Sequence, residues 1–386
     1  MKIGIISFWS SNDNYGQQLQ CWALQYVLKN MGHAPFHIKY IEEKGGLRKK
    51  KTIKDYVRLL LIYPIINHLI WIVRQKKRRR LLAYNEENDK KRDFAGFRNN
   101  YICFSDKIYY GLRELKNDPP AADAYVTGSD QVWGNVLDCE EYSSYFLNFG
   151  SDNILRLSYA ASFGMEEYPQ RFQSQLKKYL SRFSYISCRE RAGVKICESV
   201  GIKALQVLDP TLLLVSDIYK SMFSLSDNKF APFIFVYCLN INSPLMLGWK
   251  QLEKFASDNN LRVMVTPASG YTLSEELFEN AIYKYPTIPE WINMIKHCEL
   301  FIASSFHGIV FSILFHRPFI YIPVRGKWSK GNNRVIELLE MLHLEKCIVS
   351  SRFDYSIPNI NWKEVDKVLS DKREFSMSYL NQALQR

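Results

Sequence analysis

Short apolar runs alternate with longer segments of helical periodicity along most of the chain. Residues 1–8, which are mostly apolar, predict a first strand, and residues 17–31 carry an apolar stripe at helical spacing. A similar alternation occurs at residues 300–303, 308–315 and 318–323. Apolar runs of this length, bounded by turn residues, are typical of parallel strands buried on both faces. The pattern therefore predicts an α/β protein whose strands are joined by helical crossovers.

The length of 386 residues predicts two domains, because it exceeds what one ordinary core requires. We expect a first, Rossmann-like domain at 1–220 with an insert at about 44–100, and a second domain at 221–350. Residues 216–231 are polar and predicted to be poor in helix, as at a domain boundary. The tail, 351–386, is predicted to be helical and to pack back on the first domain. No G-x-G-x-x-G sequence follows the first strand, so a dinucleotide site is not predicted.

The turn after the predicted strand at 300–303 carries a histidine, His307. In an open parallel sheet this turn lies at the carboxyl edge, where ligands bind, and the helix start beyond it offers free N–H groups to an anion. Two interpretations of His307 remain open at this point. In the first, it is a hydrogen-bonded core residue. In the second, it is a site residue, and the small residues Ser304, Ser305 and Gly308 allow a ligand to approach it.

Two further turns carry charged side chains at predicted strand ends. Asp130 follows a short strand at 124–126, where a carboxylate either binds an acceptor hydroxyl or caps a helix. Arg189 and Arg191 lie where a strand meets a helix. They either pair with Glu190 or present a guanidinium fork to a carboxylate or phosphate.

The net charge of +12 changes the picture because it lies in one segment. Thirteen lysines and arginines and a single acid, Asp55, occur between residues 44 and 80, so the rest of the chain is formally neutral. The apolar run inside this segment, 59–73, is too short and too interrupted to span a bilayer. We expect it to lie on an anionic membrane surface; a helical hairpin docked on the protein is the alternative. Nucleic acid is not predicted as a partner, because aromatic residues are not interleaved with the charges.

The cysteines indicate a reducing compartment. Eight are scattered through the chain without a C-x-x-C pair, which argues against a zinc site and a disulfide framework. The first residues predict a strand rather than a secretory signal. We therefore expect a cytoplasmic protein, peripheral on the inner face of the cytoplasmic membrane.

Several separated motifs resemble one family, the polysaccharide pyruvyl transferases. Their order and spacing match along nearly the whole chain outside the insert. The motifs lie at residues 14–16, 19–20, 23–24, 128–133, 158–164, 187–190, 209–213, 290–292, 304–308 and 333–335.

This resemblance implies a GT-B-like fold, with two Rossmann-like domains facing each other across a cleft that holds the site. It also implies phosphoenolpyruvate as the donor and a hexose of a capsular or exopolysaccharide repeat unit, carried on a lipid, as the acceptor. The product is a pyruvate ketal.

The resemblance also implies roles for particular residues. His307 matches the family's catalytic histidine, a general acid/base, and Arg189 matches an arginine that contacts the donor. Some members have an arginine where this chain has Ser305, so another cation is needed for the donor phosphate, and three candidates remain open: Arg191, Arg325 and Lys327.

We assign the remaining site residues on the same motifs. The donor is expected to contact Ser304, Ser305, Phe306 and Gly308, and the acceptor Asn14, Tyr15, Gly16, Gln20, Asp130 and Gln131. Neither a metal nor a cofactor is expected, since phosphoenolpyruvate is itself a substrate. Two other functions remain open, a nucleotide-sugar glycosyltransferase of the same fold and a non-catalytic scaffold for capsule assembly.

Overall fold

Two five-stranded parallel sheets form the framework of the protein. The structure is a computed structural model that describes residues 1–10, 14–43, 87, 90–227, 231–239, 241, 243–267 and 278–385. The first sheet has the order β3-β2-β1-β4-β5 and the second the order β10-β9-β8-β11-β12. The strands are β1 Lys2–Ile6, β2 Ala34–Ile41, β3 Phe104–Tyr110, β4 Ala124–Thr127, β5 Leu155–Ser158, β6 Ser187–Cys188, β7 Leu205–Gln206, β8 Phe233–Tyr237, β9 Arg262–Val265, β10 Ile282–Tyr283, β11 Leu300–Ala303 and β12 Phe319–Tyr321.

Helices connect successive strands and cover the sheets. They are α1 Tyr15–Asn30, α2 Phe94–Tyr101, α3 Gly111–Asn117, α4 Gln173–Leu180, α5 Arg191–Ser199, α6 Pro210–Leu213, α7 Ser216–Met222, α8 Trp249–Asp258, α9 Ile288–His297, α10 Phe306–Leu314, α11 Asn333–Met341 and α12 Trp362–Leu384. Short 3₁₀ segments occur at Glu140–Phe146, Gln170–Phe172, Pro244–Leu247, Gly326–Asn332 and Glu345–Cys347.

Each sheet begins from a central strand and grows outward in both directions. In the first sheet, β1 pairs in parallel with β2 and β4, so that Ile3 lies opposite Pro35 on one side and Ala124 on the other. In the second sheet, β8 pairs in parallel with β9 and β11. Both orders are those of a Rossmann-like unit, in which the chain adds strands on one side of the first strand and then on its other side. The predicted α/β fold with two Rossmann-like units, GT-B-like, is confirmed.

The region between the sheets differs from its prediction in one respect. Residues 216–231 were expected to be poor in helix, but α7 occupies Ser216–Met222. The helix buries Tyr219, whose hydroxyl donates to the carbonyl of Thr211 at 2.9 Å. One aromatic anchor therefore offsets a polar composition that by itself does not predict a helix.

Aromatic packing joins the two halves of the chain, which we define by their sheets: residues 1–223 and 231–348. The ring of Tyr15, at the start of α1, stacks on Trp291 of α9 with centroids 4.9 Å apart. Its hydroxyl donates to the carbonyl of Pro286 at 2.7 Å. Both side chains are fully buried, so this contact is a rigid part of the core.

The last helix, α12, returns to the first half. The hydroxyl of Ser376 accepts a hydrogen bond from the N–H of Leu208 at 3.0 Å, and the hydroxyl of Tyr379 donates to the carbonyl of Ser158 at 2.7 Å. The basic segment at 44–80 lies outside the described residues. In the described part of the chain, no helix combines the length and the apolar character needed to cross a membrane.

Candidate active site

The turn between β11 and α10 presents His307. Ser304 fastens the end of the strand, because its hydroxyl accepts from the N–H of Leu239 at 2.6 Å and donates to the carbonyl of the same residue at 3.2 Å. Ser305 is the N-cap of α10 and accepts from the N–H of Gly308 at 3.3 Å. The two serines thus fix the turn itself, and His307 projects from the first turn of the helix.

Arg189 approaches from the other half of the chain, directly after β6. Its guanidinium is buried, with the side chain 2% exposed, and Nη1 donates to Oδ2 of Asp209 at 2.9 Å. The guanidinium also lies over the ring of Phe306, 4.5 Å from its centroid. Burial by itself lowers the pKa of Arg189, but the carboxylates of Asp209, Asp130 and Glu190 outweigh it, so the net shift is upward. Arg189 is therefore a fixed positive charge.

Asp209 joins Arg189 and His307. Its Oδ2 accepts from Ser129 Oγ at 2.7 Å and from Arg189, and lies 3.6 Å from Nε2 of His307. Its Oδ1 accepts from the N–H and the hydroxyl of Thr211 at 3.0 and 2.6 Å. Burial by itself raises the pKa of Asp209, but His307 and Arg189 more than offset this and hold it well below the usual value. The carboxylate is therefore ionised, and both of its oxygen atoms accept hydrogen bonds.

Gly16 lies against the imidazole of His307. A Cβ at this position would overlap the ring at Nδ1, so only glycine allows the two halves to approach this closely. The neighbouring residue Asn14 caps α1, accepting from the N–H of Gln17 at 3.2 Å. The first turn of α1 thus forms the wall beside Nδ1.

Asp130 completes the cluster with an arginine from α11. Its Oδ1 lies 3.7 Å from Nη2 of Arg189 and 3.8 Å from Nη1 of Arg334. Its backbone has a φ of 83°, a strained conformation for a non-glycine residue and one that is frequent at functional sites. Burial, and then the charge of Arg189, lowers the pKa of Arg334 to about 10. Two guanidiniums from different halves therefore lie beside one carboxylate.

The structure does not bring every residue predicted for the site to this cluster. Tyr15 packs in the core between the halves, and the buried side chain of Gln20 donates to the carbonyl of Gln17 at 3.1 Å. The side chain of Gln131, the residue that follows Asp130, packs against Gly164. Each of these three side chains therefore has a contact within the protein, and its position is explained without a bound acceptor.

Two of the three candidate cations for the donor phosphate have described side chains, and both of these are exposed. Arg191 is 58% exposed and pairs with Glu337 and Glu340 of α11. Arg325 is exposed, just before the 3₁₀ segment Gly326–Asn332. Lys327 lies in that segment, and its side chain is not among the described ones. The guanidinium that does lie beside Arg189 is that of Arg334, which the sequence prediction left out of the site.

Asp209 and Glu190 were also missed as site residues. Both belong to motifs quoted above, but an aspartate before Pro-Thr reads as a helix cap, and Asp209 does cap α6. Glu190 accepts from the N–H of Phe163 at 2.9 Å, and burial raises its pKa. The signal that could have found them is their position: each follows a short strand at the edge where Arg189 and His307 were expected.

A cavity of about 260 Å³ opens beside the cluster. Its charged wall comprises Arg189, Asp209, Arg334, Glu337 and Lys372. The rest is formed by Phe306, residues 206–208, Leu212 and uncharged residues of α11 and α12. In the described ranges, no group of three or more His, Cys, Asp or Glu side chains is placed to hold a metal ion. The chemistry available here is that of two guanidiniums, three carboxylates and an imidazole.

The family model for polysaccharide pyruvyl transferase matches residues 14–326 of this chain. The chain belongs to this family. The matched range contains Gly16, Asp130, Arg189, Asp209 and His307, so the cluster is almost entirely within it, and the chain is a transferase of polysaccharide biosynthesis. Arg334 lies beyond the matched range of this pyruvyl transferase.

Solved structures similar to this chain have low sequence identity to it. UDP-N-acetylglucosamine 2-epimerase from Rickettsia bellii is 9% identical, with 99% of this chain and 98% of that chain covered and a TM-score of 0.49. The UDP-GlcNAc 2-epimerase from Methanocaldococcus jannaschii is 10% identical, with coverages of 96% and 92% and a TM-score of 0.46. The glycosyltransferase SnogD from Streptomyces nogalater is 11% identical, with 99% of each chain covered and a TM-score of 0.41. Among curated protein sequences, none matches this chain significantly.

Proposed function

We propose that this protein transfers the pyruvyl group of phosphoenolpyruvate to a hexose of a capsular or exopolysaccharide repeat unit, forming a pyruvate ketal. One observation carries the proposal: Arg189 and His307, from different halves of the chain, meet at the carboxylate of Asp209. A fixed cation and a proton-transfer group within one small site are what an anionic enol donor requires.

Donor binding is supported by the unsatisfied donors of Arg189. Its Nε and Nη2 are buried and find no hydrogen-bond partner within the described residues, although Nη1 is bonded to Asp209. A buried guanidinium with two open N–H positions matches an anionic ligand such as a carboxylate or a phosphate. The cavity beside it, about 260 Å³, provides room for a molecule as small as phosphoenolpyruvate.

The reaction needs three proton movements, two in the addition step and one in ring closure, and His307 is the group proposed for the first two. One hexose hydroxyl adds to C2 of phosphoenolpyruvate, a C–O bond forms, the hydroxyl proton leaves and C3 gains a proton to become a methyl group. The C2–O bond to phosphate then breaks, and inorganic phosphate departs. A second hydroxyl of the same hexose bonds to C2 and loses its proton, which closes the ketal. General acid/base catalysis of this kind contributes roughly 10²- to 10⁴-fold.

Asp209 is proposed to orient the imidazole. Nε2 of His307 is buried and faces the carboxylate, which favours a proton on that nitrogen. Nδ1, which lies against Gly16, is then the unprotonated nitrogen. We place the acceptor near the imidazole and the first turn of α1, where Asn14 and Gly16 lie, with Asp130 on the side of Arg189.

The test is incubation of the purified protein with phosphoenolpyruvate and a lipid-linked or aryl hexoside. We expect release of inorganic phosphate and a product heavier by one pyruvate ketal, both abolished by His307→Ala and Arg189→Ala. Arg113→Ala, at an exposed arginine of α3, is the matched control and should retain activity. Transfer from a nucleotide sugar instead of phosphoenolpyruvate would show a glycosyltransferase. Full complementation of a deletion strain by His307→Ala would show a scaffold.

The lipid-linked acceptor gives the basic segment at 44–80 a role in this proposal. Thirteen positive side chains in this segment would attract an anionic leaflet, with about 1 kcal/mol for each lysine or arginine near the surface. The enzyme would then work peripherally on the cytoplasmic face, where its acceptor is anchored.

A further inference from the structure

Two arginines lie close together at the seam between the halves. Arg189 follows β6, and Arg334 comes from the first turn of α11, so each half contributes one guanidinium. Both face the carboxylate of Asp130, at 3.7 and 3.8 Å. These distances are beyond hydrogen-bond length, so the carboxylate balances the two charges without bonding to either.

The guanidinium of Arg189 is not fully satisfied by this arrangement. Nε and Nη2 of Arg189 have no hydrogen-bond partner among the described residues. Arg334 donates from Nε to the carbonyl of Gly331 at 3.4 Å, near the limit for a hydrogen bond. Buried polar groups of proteins are normally bonded, and unsatisfied ones at a cavity indicate a ligand.

Neither Asp209 nor Asp130 supplies the missing partner. Asp209 already accepts from Ser129, Thr211 and Arg189. Asp130 accepts from the N–H of Gln131 at 2.9 Å and holds a strained backbone. Burial first, and the charge of Arg189 second, lower the pKa of Arg334, so its charged form carries a cost here. A doubly charged anion between the two guanidiniums would offset this cost.

We infer that Arg334 and Arg189 together bind the phosphoryl group of the donor. The phosphoryl group would lie between the two guanidiniums, where the Asp130 carboxylate faces them in the free protein. The inference rests on the proposed function. It assigns a cation to the donor phosphate in place of the arginine that some family members have at the position of Ser305. A phosphoryl group fits better than a carboxylate, because its three terminal oxygens can bridge two guanidiniums on different elements, whereas a carboxylate is satisfied by one fork.

The experiment compares phosphoenolpyruvate with pyruvate, which lacks the phosphate, by calorimetric titration of the wild-type protein and of Arg334→Ala. We expect Arg334→Ala to weaken phosphoenolpyruvate binding roughly 10- to 100-fold, as for loss of a charged hydrogen-bond pair, and to leave pyruvate binding unchanged. Arg334→Lys keeps the charge but loses the forked N–H donors of the guanidinium. Its affinity for phosphoenolpyruvate should therefore lie between those of the wild type and Arg334→Ala. Added guanidinium ion should partly restore phosphoenolpyruvate binding to Arg334→Ala. Arg113→Ala is the control for loss of an arginine elsewhere.

The outcomes separate this inference from the proposed function. If the wild type prefers phosphoenolpyruvate to pyruvate and Arg334→Ala keeps that preference, the inference is overturned and the function stands. If Arg334→Ala weakens both ligands equally, Arg334 has a structural role and the phosphoryl assignment is overturned. If the wild type does not respond to phosphoenolpyruvate, the proposed function fails and takes the inference with it.

Discussion

Nε2 of His307 lies 3.6 Å from Oδ2 of Asp209, and the two residues come from different halves of the chain. The same oxygen atom accepts hydrogen bonds from Ser129 and Arg189. The orientation of the imidazole and the position of the buried guanidinium therefore depend on one carboxylate. A change in the docking of the two halves would move the imidazole relative to this carboxylate, whereas Arg189 and Asp209 belong to the same half and would stay paired.

Replacing Asp209 by asparagine tests this dependence. The amide keeps the shape but removes the charge that faces Nε2, so we expect kcat to fall roughly 10²- to 10⁴-fold. The measurement is phosphate release from phosphoenolpyruvate in the presence of acceptor. Asp217→Asn, at an exposed pair with Lys220 on α7, is the control and should be unaffected. Equal kcat for Asp209→Asn and the wild type would contradict the orienting role.

The stability of the wild type should depend on Asp209 in a predictable pH window. Because the folded-state pKa lies below the unfolded value, the ionised carboxylate stabilises the protein above that unfolded value, about 4. This contribution is lost as the pH falls from there through the folded pKa. The difference in unfolding free energy between the wild type and Asp209→Asn should be largest near neutral pH and shrink below pH about 4, as measured by urea unfolding. A difference that is constant with pH would rule out this linkage.

Gly16→Ala should disable catalysis by steric overlap. The new methyl group would occupy the position of the imidazole at Nδ1, so either His307 rotates or α1 moves away from α10. A displacement on that scale costs roughly 100-fold in kcat. Gln17→Ala, at the neighbouring half-buried position, is the control and should have little effect. Normal kcat for Gly16→Ala would mean that the imidazole does not work in the position described.

Tyr15→Phe distinguishes a structural role from acceptor binding. The variant keeps the stack on Trp291 but leaves the buried carbonyl of Pro286 without its 2.7 Å hydrogen bond. We expect a loss of about 1–3 kcal/mol in unfolding free energy and an unchanged KM for the acceptor. A raised acceptor KM with unchanged stability would instead support the role that was assigned from the sequence.

Deleting residues 44–80 tests the membrane proposal. Removing the segment that carries the net charge should abolish sedimentation with vesicles containing anionic lipid. Activity on a water-soluble aryl hexoside should remain, because the cluster around Asp209 lies outside the segment. Unchanged sedimentation of the deletion variant would reject the interfacial role, and loss of the soluble activity would point to a folding role instead.

The sequence predicted the local elements of the site well. A short apolar run, two hydroxyl residues, a histidine and a glycine predicted β11, the turn at Ser304 and Ser305 and the start of α10 in their observed order. This succeeded because strand burial and helix capping depend on neighbouring residues only. Arg189 was expected to be an anion-binding residue for the same kind of reason, its position at a strand end.

The functions of Asp209, Arg334 and Tyr15 could not be assigned in this way. Each looks locally like something else: a helix cap, an exposed helix residue and a polar residue in a loop motif. The structure pairs Asp209 with His307, places Arg334 beside Arg189 and buries Tyr15 against Trp291. All three relationships join residues far apart in the chain, across the seam between the halves.

The sequence by itself determined the α/β class, the family and the turn that carries His307, because hydrophobic periodicity, caps and ordered motifs are written in neighbouring residues. Only the tertiary structure decided which carboxylate faces the imidazole and which second guanidinium lies near the first. The physical reason is that charges interact through space over a few ångströms, and the docking of two separate sheets sets those distances.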